Sequence, residues 1–600
     1  RCQRMVLRDR NHPSIIAWSL GNESYFGPHH AAMRAWARHL DPGRPVQYES
    51  GSPGPEVSDL MVPMYPKEDW VRKVMLDKAE TRPMVCCEYA YAKGNAGGNF
   101  HKFWQWVETY PSFQGGFVWD WSEKALLMKV KDKYEYAYGG DFDGGVAGDG
   151  YDYGRKENPQ MCLNGVVMPD LRPKPGAYEI KQCQAPVGLS VDPSHSWGGV
   201  NKVRIGLHNK YLTLDLSHLE LCWSLLENGE IVRQGRVPCP ALGPEQREEL
   251  PVEWPETTLK ADAVYHLNAE VILREACEWA PAGHVVAWDQ WECPFINLAH
   301  KPRPLSEAKL RLQEDGELCQ VAGENFTVAF SKLTGSLQQL QWAGQPLLSR
   351  GVEALFMRAR TDNDYMINNP SSYCSEWQKA GLPDLEISDV KTSAGILSDG
   401  SVLFSSALEY TAQAASAHVY SRYQVHGDAS MDVDIVLDVR AVMQTLPRVG
   451  ISFALDSSFQ NLAFFGRGPH ENYIDRKNSA RMGVFGSTVA DQFFPFIDPC
   501  ETGNHCDTRW FALSGDHGLF KVSGRPDFSF SALPYHWREL SRASHVHELQ
   551  PSDKVEVILD AGHLGLGGDT GWTRNVHPEY LLKPGTYALS FSLKWEDLKK

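Results

Sequence analysis

The chain has 600 residues, which sets an expectation of about four domains at roughly 150 residues each. Lys and Arg number 59 against 75 Asp and Glu, a formal net charge of −16, and that acidity argues against a large phosphate-binding surface, which needs clustered cations. With 42% hydrophobic residues and no run near the roughly 18 apolar residues that cross a bilayer, the sequence reads as globular, with no nucleic-acid or membrane partner.

It opens Arg1-Cys2-Gln3-Arg4, without an initiator Met or a signal-peptide core. The 13 Cys are scattered, Cys86-Cys87 being the one close pair, and no C-x-x-C occurs. Zinc-ribbon and thioredoxin motifs are therefore absent, and reduced thiols in a non-oxidising compartment, the cytoplasm, are expected. The 19 Trp suit a large core and equally suit platforms for sugar faces.

Along the first part of the chain, apolar runs alternate with amphipathic stretches. A buried-strand pattern over residues 14–20 ends in Gly21-Asn22-Glu23-Ser24, and a helical pattern over 30–40 stops at Asp41-Pro42-Gly43. Strand patterns follow at 46–49 and at Leu60-Met61-Val62-Pro63-Met64-Tyr65. A helix is expected over 70–76, a strand over 83–90, a helix over 100–107 and a strand at Gly115-Gly116-Phe117-Val118. Strand–helix alternation predicts a parallel sheet of the TIM-barrel kind, with chemistry at strand C-terminal ends. About four to five such units fit before residue 125, whereas a closed barrel takes eight. The first strands are therefore expected upstream, on a missing N-terminal segment or a companion polypeptide.

From about residue 185 the pattern turns to short alternating strands, such as Lys202-Val203-Arg204-Ile205-Gly206-Leu207. The expected fold is the C-terminal half of a (β/α)8 TIM barrel over 1–184, a β-sandwich over 185–300 and a large β-sandwich over 301–600. Lys301-Pro302-Arg303-Pro304 is the expected linker.

Two carboxylates stand at ends of predicted barrel strands, Glu23 and Glu88. Both follow apolar runs, where desolvation has to be offset by pairing or function. Structural ion pairs are the plain alternative for either one. Two carboxylates about 5–5.5 Å apart, one acid and one nucleophile, make the arrangement for retaining glycoside hydrolysis. Asp141-Phe142-Asp143-Gly144-Gly145 hints at a Ca²⁺ loop but lacks the spacing and the terminal Glu. The sequon Asn22-Glu23-Ser24 is implausible at a strand end, Asn325-Phe326-Thr327 has meaning only in a secreted protein, and no G-x-S-x-G, H-E-x-x-H or P-loop occurs.

The segment Asn11-His12-Pro13-Ser14-Ile15-Ile16-Ala17-Trp18-Ser19-Leu20-Gly21-Asn22-Glu23-Ser24 resembles the acid/base signature of glycoside hydrolase family 2. Cys87-Glu88-Tyr89-Ala90, Gly94-Asn95 and Gly115-Gly116-Phe117-Val118-Trp119-Asp120-Trp121 resemble its nucleophile strand and the next one. Met161-Cys162-Leu163-Asn164-Gly165, Thr361-Asp362-Asn363-Asp364, Gly466-Arg467-Gly468-Pro469-His470-Glu471-Asn472-Tyr473 and Leu566-Gly567-Gly568-Asp569-Thr570-Gly571-Trp572 are similar to the long, LacZ-type β-galactosidases of that family.

The resemblance implies that the 185–300 sandwich is immunoglobulin-like and the 301–600 sandwich galactose-mutarotase-like, that Glu23 is the acid/base and that Glu88 is the nucleophile, with Tyr65 beside it. It implies that Asn22 binds the sugar 2-hydroxyl, that Met64 and Tyr91 line the sugar pocket, and that Trp119 and Trp572 are platforms for galactose and aglycone. It further implies Mg²⁺ against Glu23, with its other ligands upstream, and a monovalent cation, Na⁺ or K⁺, at Asn164. Tyr91 departs from the family's usual His, and Met161 from its usual Phe. The expected function is that of a retaining exo-β-galactosidase acting on small, lactose-like β-galactosides, with transglycosylation, in a homo-oligomer. A family member with altered sugar specificity and a non-catalytic assembly protein are the alternatives.

Overall fold

The computed structural model of the protein describes residues 1–77, 79–142, 162–192, 197–199, 201–255, 259–260, 262–294, 309–365, 371–516 and 518–597. Met161, the Asp143-Gly144-Gly145 part of the Ca²⁺-loop-like segment and the expected linker at 301–304 lie outside the described residues. The chain forms two compact units, Arg1–Ala177 with Leu566–Val576, and Tyr178–Gly565 with His577–Lys600.

In the first unit strands and helices alternate: α1 (Cys2–Asp9), β1 (Trp18–Ser19), α2 (Pro28–Leu40), β2 (Val46–Gln47), α3 (Glu68–Met75), β3 (Met84–Tyr89), α4 (Phe100–Thr109) and β4 (Phe113–Val118). β1 pairs in parallel with β2, and β3 with β4. Between these pairs, Met61 and Met64 make single parallel bridges to Met84 and Glu88. This is the strand–helix wall of a TIM barrel, with strand C-terminal ends on one side.

Local chemistry sets the elements. Pro28 starts α2, where its missing N–H would have no helical partner in any case. Ala37 of α2 is buried against Val6, Trp18, Leu20 and Val46. Past the helix end, Asp41 Oδ2 accepts from Trp18 Nε1 at 3.1 Å and from Arg44 Nη1 at 2.5 Å, tying α2 to β1.

Two strands are shorter than their sequence patterns predict. The run over 14–20 becomes strand at Trp18–Ser19 alone. Ile15 N closes a turn on His12 O, Arg44 takes the Ile15 carbonyl, and Ile16 is 75% exposed. The run over 60–65 is reduced to two bridges because Pro63 has no N–H to give a ladder. A hairpin, β5 (Leu126–Val130) and β6 (Lys133–Ala137), follows β4.

The second unit is β-rich. Two four-stranded sheets, one containing Leu219–Glu227 and Tyr265–Leu273, the other containing Lys202–Asn209, enclose Val203, Ile205, Leu221, Leu225, Leu267 and Val271. A five-stranded sheet and a twelve-stranded sheet follow. The strand Ser430–Ala441 shows why they stack: Val433, Ile435, Leu437 and Val439 alternate with half-buried or exposed neighbours, one face per side of the sheet. Among the described residues, no helix is long and apolar enough to cross a membrane. All 13 cysteines are free thiols.

Candidate active site

Strand β3 runs Met-Val-Cys-Cys-Glu-Tyr, and its alternation buries Met84 and Cys86 while leaving Glu88 half-buried near the C-terminal end. Tyr65, one residue past the Met64 bridge, donates its backbone N–H to Glu88 O at 2.9 Å. Its phenol donates to Glu88 Oε2, also at 2.9 Å. Tyr65, Glu23 and Ala90 all sit at positive φ (45°, 48° and 51°). Such backbone is costly for residues other than glycine and gathers at functional sites, where surrounding structure holds it.

Burial raises the Glu88 carboxyl above its usual range, the Tyr65 hydrogen bond opposes that, and the charges of Glu23, Glu49 and Asp120 push it further up. Burial first, then the Glu88 charge, raises the Tyr65 phenol, which therefore stays protonated and remains a donor. Glu23 is close enough to act on Glu88 through its charge, and among the described residues it is exposed. Among the described residues nothing covers the 22–26 turn, and the Glu23 carboxylate makes no hydrogen bond or ion pair. An exposed, unengaged carboxylate offers the hard oxygen ligands that Mg²⁺ takes.

Glu49, just past β2, was not anticipated. It is half-buried, its Oε1 accepts from the Glu23 backbone N at 2.6 Å, and its charge reaches Glu88. It had the same signal as Glu23 and Glu88, a carboxylate ending an apolar strand. Glu23, Glu49 and Met64 line a cleft of about 480 Å³, together with Trp70 and Arg82.

Tyr91 is buried, and Asn164 Nδ2 donates to its phenol oxygen at 3.3 Å. The rings of Tyr65 and Tyr91 both meet Trp572 edge to face, with centroids at 4.8 and 5.2 Å. Trp572 is on the segment Leu566–Val576, which Gly98 N joins at Gly567 O (2.9 Å) and Asn99 Nδ2 joins at Asp569 Oδ1 (3.3 Å). Gly568 faces backbone there: a Cβ would lie 2.8 Å from Gly97 N and 2.9 Å from Gly98 O. Trp572 itself is 47% exposed, as a platform requires.

Trp119 follows β4 and is half-buried. The Lys124 ammonium lies 5.4 Å from its ring centroid, 2.6 Å from Asp120 Oδ2 and 2.8 Å from Asn164 Oδ1. Burial works against the Asp120 charge, but Lys124 and the Trp121 N–H outweigh it and hold its carboxyl low. The side-chain oxygen that Na⁺ or K⁺ would take at Asn164 is thus engaged by an ammonium, and this donor set does not fit an additional monovalent cation. Glu88, Tyr65, Tyr91, Asn164 and Trp572 form one connected group. Asn22 is exposed, and among the described residues its carbonyl accepts from Ser24 Oγ at 2.8 Å.

Three family models match the chain: "Glycosyl hydrolases family 2, TIM barrel domain" over 1–189, "Beta-galactosidase, domain 4" over 205–294, and "Beta galactosidase small chain" over 322–593. The chain is 35% identical to a β-galactosidase of Vibrio cholerae, over 98% of this chain and 56% of that protein. It is 33% identical to β-galactosidases of Alteromonas mediterranea (98% of this chain, 57% of that protein) and Priestia megaterium (99% and 56%). The chain therefore spans somewhat over half the length of the curated relatives it matches.

Proposed function

We propose, for a chain that belongs to glycoside hydrolase family 2, that it carries the catalytic carboxylates of a retaining exo-β-galactosidase. The observation that carries this reading is the half-buried Glu88, held by the Tyr65 phenol at 2.9 Å within reach of the charge of Glu23.

Glu88 attacks the anomeric carbon as the glycosidic C–O bond breaks, and the Glu23 carboxyl delivers its proton to the departing oxygen. Glu23 then takes a proton from water, whose oxygen displaces Glu88 and restores both groups; an acceptor sugar in place of water gives transglycosylation. Tyr65 steadies the Glu88 carboxylate before attack and as it leaves. Trp572, edge-on to Tyr65 and Tyr91, offers an exposed indole face to the aglycone. Asn22 is assigned to the sugar 2-hydroxyl, Met64, Tyr91 and Trp119 to the galactose pocket. Mg²⁺ bound at Glu23 would supply positive charge that tunes the acid/base carboxyl.

The activity is assigned to this chain together with the N-terminal segment or companion polypeptide that would complete the barrel, assembled as a homo-oligomer. Thirteen free thiols support a reducing, cytoplasmic setting. The test is incubation with a 2-deoxy-2-fluoro-β-galactoside bearing a good leaving group, followed by peptide mapping. A label on Glu88 is expected. Labelling by the gluco or manno analogue instead would move the sugar specificity, and no labelling by any of the three would refute the nucleophile.

A further inference from the structure

We infer that the Lys124 ammonium is a built-in replacement for an alkali cation, and that Lys124 acts as a positioning residue for the sugar pocket. The inference deepens the glycosidase reading and rests on it only for its kinetic arm.

Three contacts converge on one nitrogen. Lys124 Nζ sits 2.6 Å from Asp120 Oδ2, 2.8 Å from Asn164 Oδ1 and 5.4 Å from the Trp119 centroid. A carboxylate, an amide oxygen and the face of an indole are together what a single positive charge attracts. Both oxygens lie at distances suited to an alkali ion centred where the ammonium stands. Two positive charges would not share this space.

The consequence passes through Asn164, which is buried. An amide has one acceptor end and one donor end. With Oδ1 turned to Lys124, Nδ2 is turned to the Tyr91 phenol oxygen at 3.3 Å. Tyr91 in turn contacts Trp572 and Tyr65. A tethered ammonium therefore sets the amide orientation and, through it, the Tyr91 phenol, whose ring packs on Trp572 and Tyr65. An ammonium on a side chain does this at any ionic composition, because nothing has to bind.

The decisive experiment compares the full protein with Lys124→Gln, which leaves Asp120 and Asn164 facing an uncharged amide. Binding is read by ²³Na line width in choline chloride, with K⁺ as competitor, and by the thermal midpoint in choline chloride against NaCl at equal ionic strength. The wild type is expected to show no saturable, K⁺-displaceable broadening and equal midpoints. K124Q is expected to gain both responses, since a ligand that binds the folded state raises its midpoint. In turnover of an aryl galactoside, K124Q is expected to lose about tenfold or more in kcat/KM in choline chloride, and Na⁺ is expected to restore it. Saturable Na⁺ binding by the wild type would overturn the proposal, as would a K124Q protein that folds but gains no alkali response. Should K124Q not fold, the wild-type binding measurement alone still decides. The binding arms need no turnover, so absence of galactosidase activity would count against the function and not against this inference.

Discussion

The Tyr65 phenol and the Glu88 carboxylate are joined at 2.9 Å, and the same two residues are joined again through their backbones, Tyr65 N to Glu88 O, at 2.9 Å. The side-chain bond is thus not free to drift, because the ladder next to it fixes where the ring starts. Burial and three nearby carboxylates raise the Glu88 carboxyl, and the phenol is the group that opposes them.

Removing that phenol should therefore move a pH limb as well as a rate. Glu88 must be ionised to attack, and Tyr65 favours the ionised form. In Tyr65→Phe the acid limb of kcat/KM is expected at higher pH than in the wild type, with a loss of about 10²-fold or more. A limb that stays in place would show that Tyr65 does not act on Glu88.

Glu23 separates from Glu88 by leaving-group dependence. Glu23→Gln should lose turnover of a substrate with a poor leaving group by about 10²–10⁴-fold. An activated aryl galactoside, which needs no protonation, should still give a burst as the glycosyl-enzyme forms. Glu88→Gln should give no burst with either substrate. A burst in Glu88→Gln would place the nucleophile elsewhere.

Seating of the Trp572 segment depends on the absence of a side chain at residue 568. In Gly568→Ala the new carbon would press on the backbone of Gly97 and Gly98 at 2.8–3.0 Å. That backbone cannot swing away as a side chain would, so the segment has to lift. The expected result is a raised KM and lowered kcat/KM, alike in Gly568→Ala and Trp572→Ala. Unchanged kinetics in both would remove Trp572 from the site.

Stability of the second unit leans on buried ion pairs. Arg358 meets Asp364 through two hydrogen bonds of 2.9 and 2.7 Å, both side chains fully inaccessible to solvent. Asp364→Ala leaves the guanidinium without its carboxylate and should cost about 3–5 kcal/mol in urea unfolding. A cost below about 1 kcal/mol would mean that neighbouring groups compensate the charge.

Asp289 gives a pH signature of the opposite kind to most carboxylates. Burial raises it to about 6, against the weaker pull of the Gln290 N–H. Its folded value lies above an unfolded value of about 3.9, so the folded state holds the extra proton between the two. Stability from this group is full below about pH 4 and is lost as pH rises through about 6, by up to roughly 3 kcal/mol. Asp289→Asn should match the wild type near pH 4 and exceed its thermal midpoint at pH 8. A lower midpoint at pH 8 would show that the carboxylate has an ionic partner.

Sequence alone determined the alternation of strands and helices in the first unit and the alternating strands of the second, because both follow from local periodicity. It also marked Glu23 and Glu88, since a carboxylate that closes an apolar strand stands out. Glu49 carries the same signal without having been singled out, and its bond to the Glu23 backbone emerges only in the fold. The strands within 14–20 and 60–65 are shorter than their patterns predict, because a pattern of apolar residues does not register the turn at Ile15 or the donor missing at Pro63. The tertiary structure alone decided the meeting of Lys124 with Asn164, 40 residues on, and that of the Glu23 backbone with Glu49. It alone brought Trp572 from the far end of the chain onto Tyr65 and Tyr91. The physical reason is that local pattern encodes which face of an element is buried, whereas which charge or ring meets which depends on how distant segments pack.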